Sequence, residues 1–349
     1  MIEIWYAILT FMLIMFVVLE GFDFGAGMLQ YVVGKTEAER RTVIAAIGPL
    51  WSWHEVWLVG FGGTLMVSFP NVMAPAFAGF YLAFFLLLWA LILRGVALEV
   101  SGQIGEPLWR TGWHVVFVAA NFLLAILIGT ALGNIVRGVP LDANGKFALD
   151  FFTNFSPSGN VGILDWYTVS VAVFVIVIFA AHGATVLVLK TTGPVHDRSL
   201  RIASQLWKTI LVLLAGITLE SWHVRPEMFS GMIHQPFGWL GLIAVVGAIP
   251  AIFTGLKNGR ELSAVIGSGV FIAGLMTAGA AGVFPIMLHS TLAPENSLSA
   301  YQNAAAGNGL VIALVWWPLS LIFNVIYFTF IYRYYRGKVK PSEDLQNPY

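Results

Sequence analysis

Long apolar runs separated by brief polar punctuation dominate this chain. A helix that crosses a bilayer needs about 20 mainly apolar residues. Runs of that length predict nine helices, near 5–33, 52–69, 72–95, 112–135, 165–190, 203–222, 237–256, 263–287 and 307–333. Nearly all the links are short. The exception is 136–164 ("RGVPLDANGKFALDFFTNFSPSGN" and its flanks), polar and turn-rich, which predicts the one small cap outside the membrane. The pattern therefore reads as an all-α polytopic membrane protein with about nine transmembrane helices, grouped as two four-helix bundles plus one peripheral helix. The first bundle takes 1–135 and the extracytoplasmic loop 136–164. The second bundle takes 165–290, and the ninth helix and its tail take 305–349.

"FDFGAGMLQYVV" in the first helix echoes "AAHGATVLVL" in the fifth. Both helices run in the same direction, as a parallel repeat requires. Coincidence is the competing explanation, because Gly-Ala pairs are common where membrane helices pack.

Composition agrees with the pattern. The 349 residues are 58% hydrophobic and 10% charged, with mean hydropathy +0.82, against about 25% charged in an ordinary soluble domain. Net charge is zero, which argues against nucleic acid as a partner. The chain has no cysteine, excluding disulfides, iron–sulfur clusters, thiolate zinc sites and c-type haem attachment. The N-terminal run is too long for a cleaved signal and lacks a basic start, so it reads as a spanning helix. Orientation follows from Lys and Arg. Fourteen of the 18 fall in alternate connections and the tail, beginning with Lys35, Arg40 and Arg41 and ending with Arg336, Lys338 and Lys340. Arg137, Lys146 and Arg225 face the other way. The N-terminus is expected outside and the C-terminal tail in the cytoplasm.

Ionisable groups in the hydrocarbon layer are costly and usually face a bundle interior or a wet path. Glu20 and Asp23 are three residues apart, hence on one helix face. Gly21, Gly25 and Gly27 let another helix approach there. In "IGPLWSWHEVWL" (47–58) the next helix begins on the same side. At a rise of ~1.5 Å per residue, Glu55 lies about 10 Å inside, near the level of Asp23. Two carboxylates at similar depth on adjacent helices have the form of a proton inlet. The plain alternative is a pair of protonated acids bonded to backbone or hydroxyls, with no transport role. His54 adjoins Glu55 and can relay protons or bind haem, although a lone membrane histidine is more often a hydrogen-bonded structural group. His182 sits among small residues, where close helix packing accounts for it. Arg94 and Glu99 are read as marking the inner boundary of the third helix. No histidine pair has haem-binding spacing, no metal site is expected, and no phosphate loop or nucleophile triad occurs.

These residues resemble a family, subunit II of the cytochrome bd-type terminal oxidases, including its cyanide-insensitive branch. "GFDFGAGM" (21–28), "IGPLW…EVWL…GGTL…FP" (47–70), "GTALGNIVRGVPLD" (129–142), "AAHGATVLVLKT" (180–191), "FP" (284–285) and the "YRYYRGKV" tail (332–339) carry the likeness, in order, along nearly the whole chain. The resemblance implies an oxidoreductase complex of a bacterial or archaeal cytoplasmic membrane that reduces dioxygen to water with electrons from quinol or another respiratory donor. It implies a heterodimer in which haem b and haem d belong to subunit I, while subunit II binds no haem itself, sometimes holds a structural quinone, and supplies part of a cytoplasmic proton path. A small accessory subunit and membrane lipid are the other partners it suggests.

Asp23 matches an acid that the family places in that path. The family's second acid is replaced here by Ser52, in Trp51-Ser52-Trp53-His54. The path candidates are therefore Asp23, Glu20, Glu55, His54 and Ser52, where Ser52 orders water without holding charge. A haem on His54 is the minor alternative for that residue. A proton-coupled secondary transporter, whose midplane acids look similar, is the alternative for the chain.

Overall fold

The computed structural model describes residues 1–157, 159–306 and 308–339. The chain opens with α1 (Ile2–Met28), extended by one further turn, α2 (Gln30–Val33). The short α3 (Glu37–Ile47) begins at a capping box, in which Thr36 and Glu39 each accept the other's backbone N–H. Gly48 and Pro49 follow its end, where proline cannot continue a helix. The second crossing comes in two pieces, α4 (Trp51–His54) and α5 (Val56–Ser68), with Glu55 at the joint. Next come α6 (Pro70–Gly79), α7 (Tyr81–Val100), α8 (Pro107–Arg137) and α9 (Trp166–Lys190). The rest comprises α10 (Gly193–Val224), α11 (Pro226–His234), α12 (Pro236–Lys257) and α13 (Glu261–Val283). An antiparallel pair, β1 (Ile286–Leu288) and β2 (Leu298–Ser299), then leads through α14 (Ala300–Asn303) to α15 (Gly309–Tyr334).

Among the described residues, eight helices are long and apolar enough to cross a membrane: α1, α7, α8, α9, α10, α12, α13 and α15. The ninth expected crossing is α4 with α5. All nine apolar segments are helical, but two boundaries move in ways that matter.

The third crossing was expected at 72–95 and is α7, 81–100. Phe69 takes an extended φ of −136°, as the residue before Pro70 must. The chain then makes the separate α6 before Phe80 interrupts it. The spanning segment is displaced toward its C-terminus, so Arg94 lies inside the bundle rather than at its rim. At the far end of the eighth crossing, α13 stops at Val283, because Pro285 cannot extend it. Residues 284–305 instead form a second cap segment beside 136–164, which the sequence pattern alone presents as the only cap. The Val139 N–H donates to the His289 carbonyl (2.9 Å) and Ser290 Oγ to the Leu141 carbonyl (2.7 Å).

α1 is the central element, packed against α5, α8, α9 and α13. Its closest neighbour is α9. A Cβ on Gly25 would overlap the Phe179 carbonyl, and one on Gly183 would overlap the Gly25–Ala26 backbone. The two segments that echo one another in sequence thus pack directly on each other. One continuous apolar core, from Phe24 and Phe117 through Phe179 to Trp207 and Phe271, runs across both halves of the chain.

The two ends of the bundle differ. At one, Arg198 reaches Glu39 (2.7 Å) and Lys338 reaches Glu261 (2.8 Å). At the other, buried Arg137 forms an ion pair with Asp165, which also caps α9 through its own box with Thr168.

Candidate functional site: a buried acid–base cluster between the first helices

α1, the α4–α5 joint and α7 meet at one polar centre. Glu20 and Asp23 leave α1 on a shared face, and both side chains are fully buried. Arg94 leaves α7 toward them, also fully buried. Its Nη1 donates to Glu20 Oε2 at 2.6 Å and reaches Glu55 Oε1 at 3.4 Å, while its Nη2 lies 3.6 Å from Asp23 Oδ2. One guanidinium thus serves three carboxylates, which puts Glu55 and Asp23 at a common level, as the helix rise suggested. The guanidinium carbon also lies over the Phe24 ring (4.8 Å) and the Trp51 ring (5.7 Å), a favourable setting for a weakly hydrated planar cation.

His54 completes the group. Its Nδ1 is 2.6 Å from Asp23 Oδ2 and its Nε2 is 3.0 Å from the Tyr332 hydroxyl on α15. With Asp23 ionised, Nδ1–H donates to it and Nε2 is left to accept from Tyr332. Phe22 meets the ring edge-on (5.1 Å) and Phe328 stacks at 6.3 Å. With both nitrogens engaged, His54 offers none to an iron atom, so the arrangement does not fit the haem alternative.

Four buried atoms of the cluster lack a hydrogen-bond partner among the described residues: Glu20 Oε1, Asp23 Oδ1, Arg94 Nε and Arg94 Nη2. Buried polar groups are nearly always satisfied by protein or ordered water. Three carboxylates against one guanidinium also leave excess negative charge in a site where only Glu55 is partly exposed, and bound protons are the simplest way to balance it.

Of the five sequence candidates, the structure brings four together: Glu20, Asp23, His54 and Glu55. Ser52 is exposed and lies outside the cluster. In so short a helix as α4, the two-position step from Ser52 to His54 turns Ser52 to a different face. Arg94 and Tyr332 were missed. The signal for Arg94 was present, since apolar residues continue on both sides of it in "ALILRGVALEV". Tyr332 lies 278 residues from His54, and no local pattern links them.

His182, the buried histidine of α9, has a different setting. Its Nδ1 is 2.7 Å from Ser268 Oγ on α13, and its Nε2 is 3.0 Å from the Val18 carbonyl on α1. It ties three helices together at a site where close packing was expected.

Fold and cluster define a multi-pass membrane protein with a buried ionisable centre. The family model for cytochrome bd terminal oxidase subunit II matches residues 1–335. The chain is 29% identical over 350 residues to cytochrome bd-I ubiquinol oxidase subunit 2 of Escherichia coli, covering 93% of this chain and 90% of that one. It is 29% identical over 311 residues to cytochrome bd ubiquinol oxidase subunit 2 of Bacillus subtilis, covering 88% and 87%. Among solved structures, the bd oxidase of Geobacillus thermodenitrificans has a chain that matches with TM-score 0.77, covering 96% of this chain and 98% of that one at 15% identity, which speaks for the fold. The chain belongs to the cytochrome bd terminal oxidase subunit II family. It is therefore one subunit of an oxidoreductase complex in a bacterial respiratory membrane, with a subunit I as its partner, and the transporter alternative falls away.

Proposed function

We propose that this subunit carries substrate protons toward the oxygen-reducing centre of subunit I, through the Glu20, Asp23, Glu55 and Arg94 cluster. The observation that carries this reading is the cluster itself: three carboxylates around one guanidinium, all fully buried except the Glu55 side chain at 27% exposure, with four polar atoms that no group among the described residues satisfies. A purely structural ion pair needs one acid for one arginine. The surplus acids serve as proton acceptors, and the unpaired oxygens suit a chain of water.

In this reading haem b and haem d sit in subunit I, where dioxygen is reduced to water with electrons from quinol or another respiratory donor. This chain binds no haem and contributes its helices to the heterodimer, with room in the complex for a structural quinone and a small accessory subunit. The N-terminus lies outside and the end bearing Lys35, Arg198 and Lys338 faces the cytoplasm, in keeping with the excess of basic residues there. Residues 1–135 and 165–290 act as two four-helix bundles joined along the α1–α9 seam, with α15 at the periphery.

The test is Asp23→Asn combined with Glu55→Gln in the assembled complex. Oxygen reduction slows while the haem spectrum keeps its intensity and shape. Wild-type turnover would leave the subunit as a scaffold.

A further inference from the structure

Tyr332 reaches the cluster from the far end of the chain. It stands in the last turn of α15 with 37% of its surface exposed, at the end of the bundle where the basic loops gather. Its hydroxyl points inward to His54 Nε2, and the opposite nitrogen of the same ring meets Asp23. The imidazole is fully buried. The charged and titratable groups around it are Asp23 from α1, Arg94 from α7, Glu55 beside it in the chain and Tyr332 from α15. Phe22 and Phe328 close the remaining sides. A partly exposed tyrosine, a buried imidazole and a buried carboxylate thus form one unbroken hydrogen-bonded line, with the tyrosine hydroxyl as its outer member, while Ser52 lies outside it.

What holds Tyr332 in place lies beyond the helix. Among its described residues, α15 has only Leu310 buried, so packing along its length fixes it weakly. The tail supplies the anchor. Lys190 Nζ donates to the Tyr335 carbonyl (2.7 Å), and the Val339 N–H donates to the Lys190 carbonyl (2.7 Å). Lys338 Nζ donates to the carbonyls of Val188 (3.0 Å) and Thr191 (3.1 Å) and pairs with Glu261. Those carbonyls end α9, where a cation is favoured.

We infer that Tyr332 and His54 are a proton relay that loads Asp23 from the exposed end of α15, with residues 335–339 clamping its outer member. The inference rests on Asp23 being a proton acceptor of the oxidase. In one cycle Tyr332 passes its hydroxyl proton to His54 Nε2 and takes another from water. The imidazolium then gives its Nδ1 proton to the Asp23 carboxylate. One proton has moved from water to Asp23, no electron has moved, and Tyr332 and His54 both end neutral. The ring is left with its proton on Nε2, and exchange with water, which takes that proton and supplies one at Nδ1, restores the starting tautomer. An ordinary phenol, with a pKa near 10, stores no charge at neutral pH. Tyr332 therefore conducts protons and holds none.

The experiment uses the complete oxidase complex in lipid vesicles, with Tyr332→Phe and His54→Gln made separately. Each variant is compared with Asp23→Asn for oxygen reduction across pH 6 to 9 and for the haem spectrum. Tyr332→Phe keeps the ring and the clamp but removes the transferable proton, and His54→Gln keeps a polar bridge that cannot be protonated. Both should slow turnover at least about tenfold above pH 8, less at pH 6, with haem intact. Added imidazole should restore part of the rate in His54→Gly, which a purely structural histidine would not allow. Wild-type rates and pH profiles in both variants, with Asp23→Asn still slow, would overturn the relay and leave Asp23 as an acceptor fed by another route. A wild-type rate in Asp23→Asn as well would overturn the underlying reading of the cluster.

Discussion

Arg94 Nη1 donates to Glu20 Oε2 at 2.6 Å, with neither side chain exposed. The contact joins α1 to α7 across 74 residues of sequence and sets the position of everything else in the cluster. The same guanidinium fixes the depth of Glu55 and limits where Asp23 can turn. The proposed proton site thus depends on an arginine that the apolar pattern places at the rim.

Removing that cation strands charge. Breaking a buried ion pair from one side costs about 3–5 kcal/mol. Arg94→Met should lower the thermal midpoint of the purified complex by several degrees, read by differential scanning fluorimetry. Replacing the acid as well, in Arg94→Met/Glu20→Leu, should recover part of the loss, because an apolar pair of similar volume leaves no orphan charge. A double variant no better than the single one would mean that Glu20 does not depend on Arg94.

The α1–α9 seam predicts a sharp contrast between two glycines. Gly25→Val drives two methyl groups into the Phe179 backbone. Overpacking typically costs about 1–3 kcal/mol and more against rigid backbone, so the complex should fail to accumulate in the membrane. A Cβ on Gly216 of α10 meets nothing within 4 Å among the described residues, so Gly216→Ala should leave yield unchanged or raise it slightly. Immunoblots of membranes with size-exclusion profiles separate the two.

Most of this architecture was legible beforehand, and the exceptions share physical causes. Hydropathy marks every spanning segment because the bilayer sets its length. Glu20, Asp23 and the glycines around them stand out because polar and small residues are rare in such runs. Arg94 escaped because a hydropathy window registers apolar content and is blind to the break that Pro70 and Phe80 impose. A shift of a few residues then moved a buried arginine to the apparent rim. Tyr332 and the second cap segment escaped for another reason. Both are tertiary pairings between distant segments, and the tail "YRYYRGKV" in isolation reads only as a basic end. That Ser52 lies outside the cluster was not legible either, since four residues of helix cannot be phased from apolar periodicity.

Acid should loosen the basic end of the bundle before the core. Arg198 holds the Glu39 carboxyl well below the usual carboxylate range, at about 2. A depressed acid stabilises the fold above its ordinary value near 4.5, and that contribution is lost as pH falls from there toward 2. The thermal midpoint should therefore decline between pH 5 and pH 3, and Glu39→Gln should lower it at pH 6 while flattening the decline. An equal decline in both proteins would assign the acid sensitivity elsewhere.

At the opposite end, the ion pair of Asp165 with Arg137 is expected to matter for stability alone. Asp165 also accepts the Thr168 N–H at the start of α9 (2.9 Å). Loss of an N-cap costs about 0.5–2 kcal/mol, and Asp165→Ala additionally leaves Arg137 unpaired. The midpoint should drop, while turnover per haem stays at the wild-type value. A loss of turnover in complexes that retain their haem would give the outer ion pair a role in the reaction.

The most direct measurement is the rate of proton uptake during a single turnover of the reduced complex, followed with a pH-indicator dye after oxygen is supplied, in wild type and in Asp23→Asn. The variant keeps the size and shape of the side chain and removes its capacity to take a proton. Uptake slowed at least about tenfold, with oxygen binding and the haem spectrum unchanged, is the predicted result. Uptake at the wild-type rate would contradict the claim that the buried acids of this subunit carry the protons that make water.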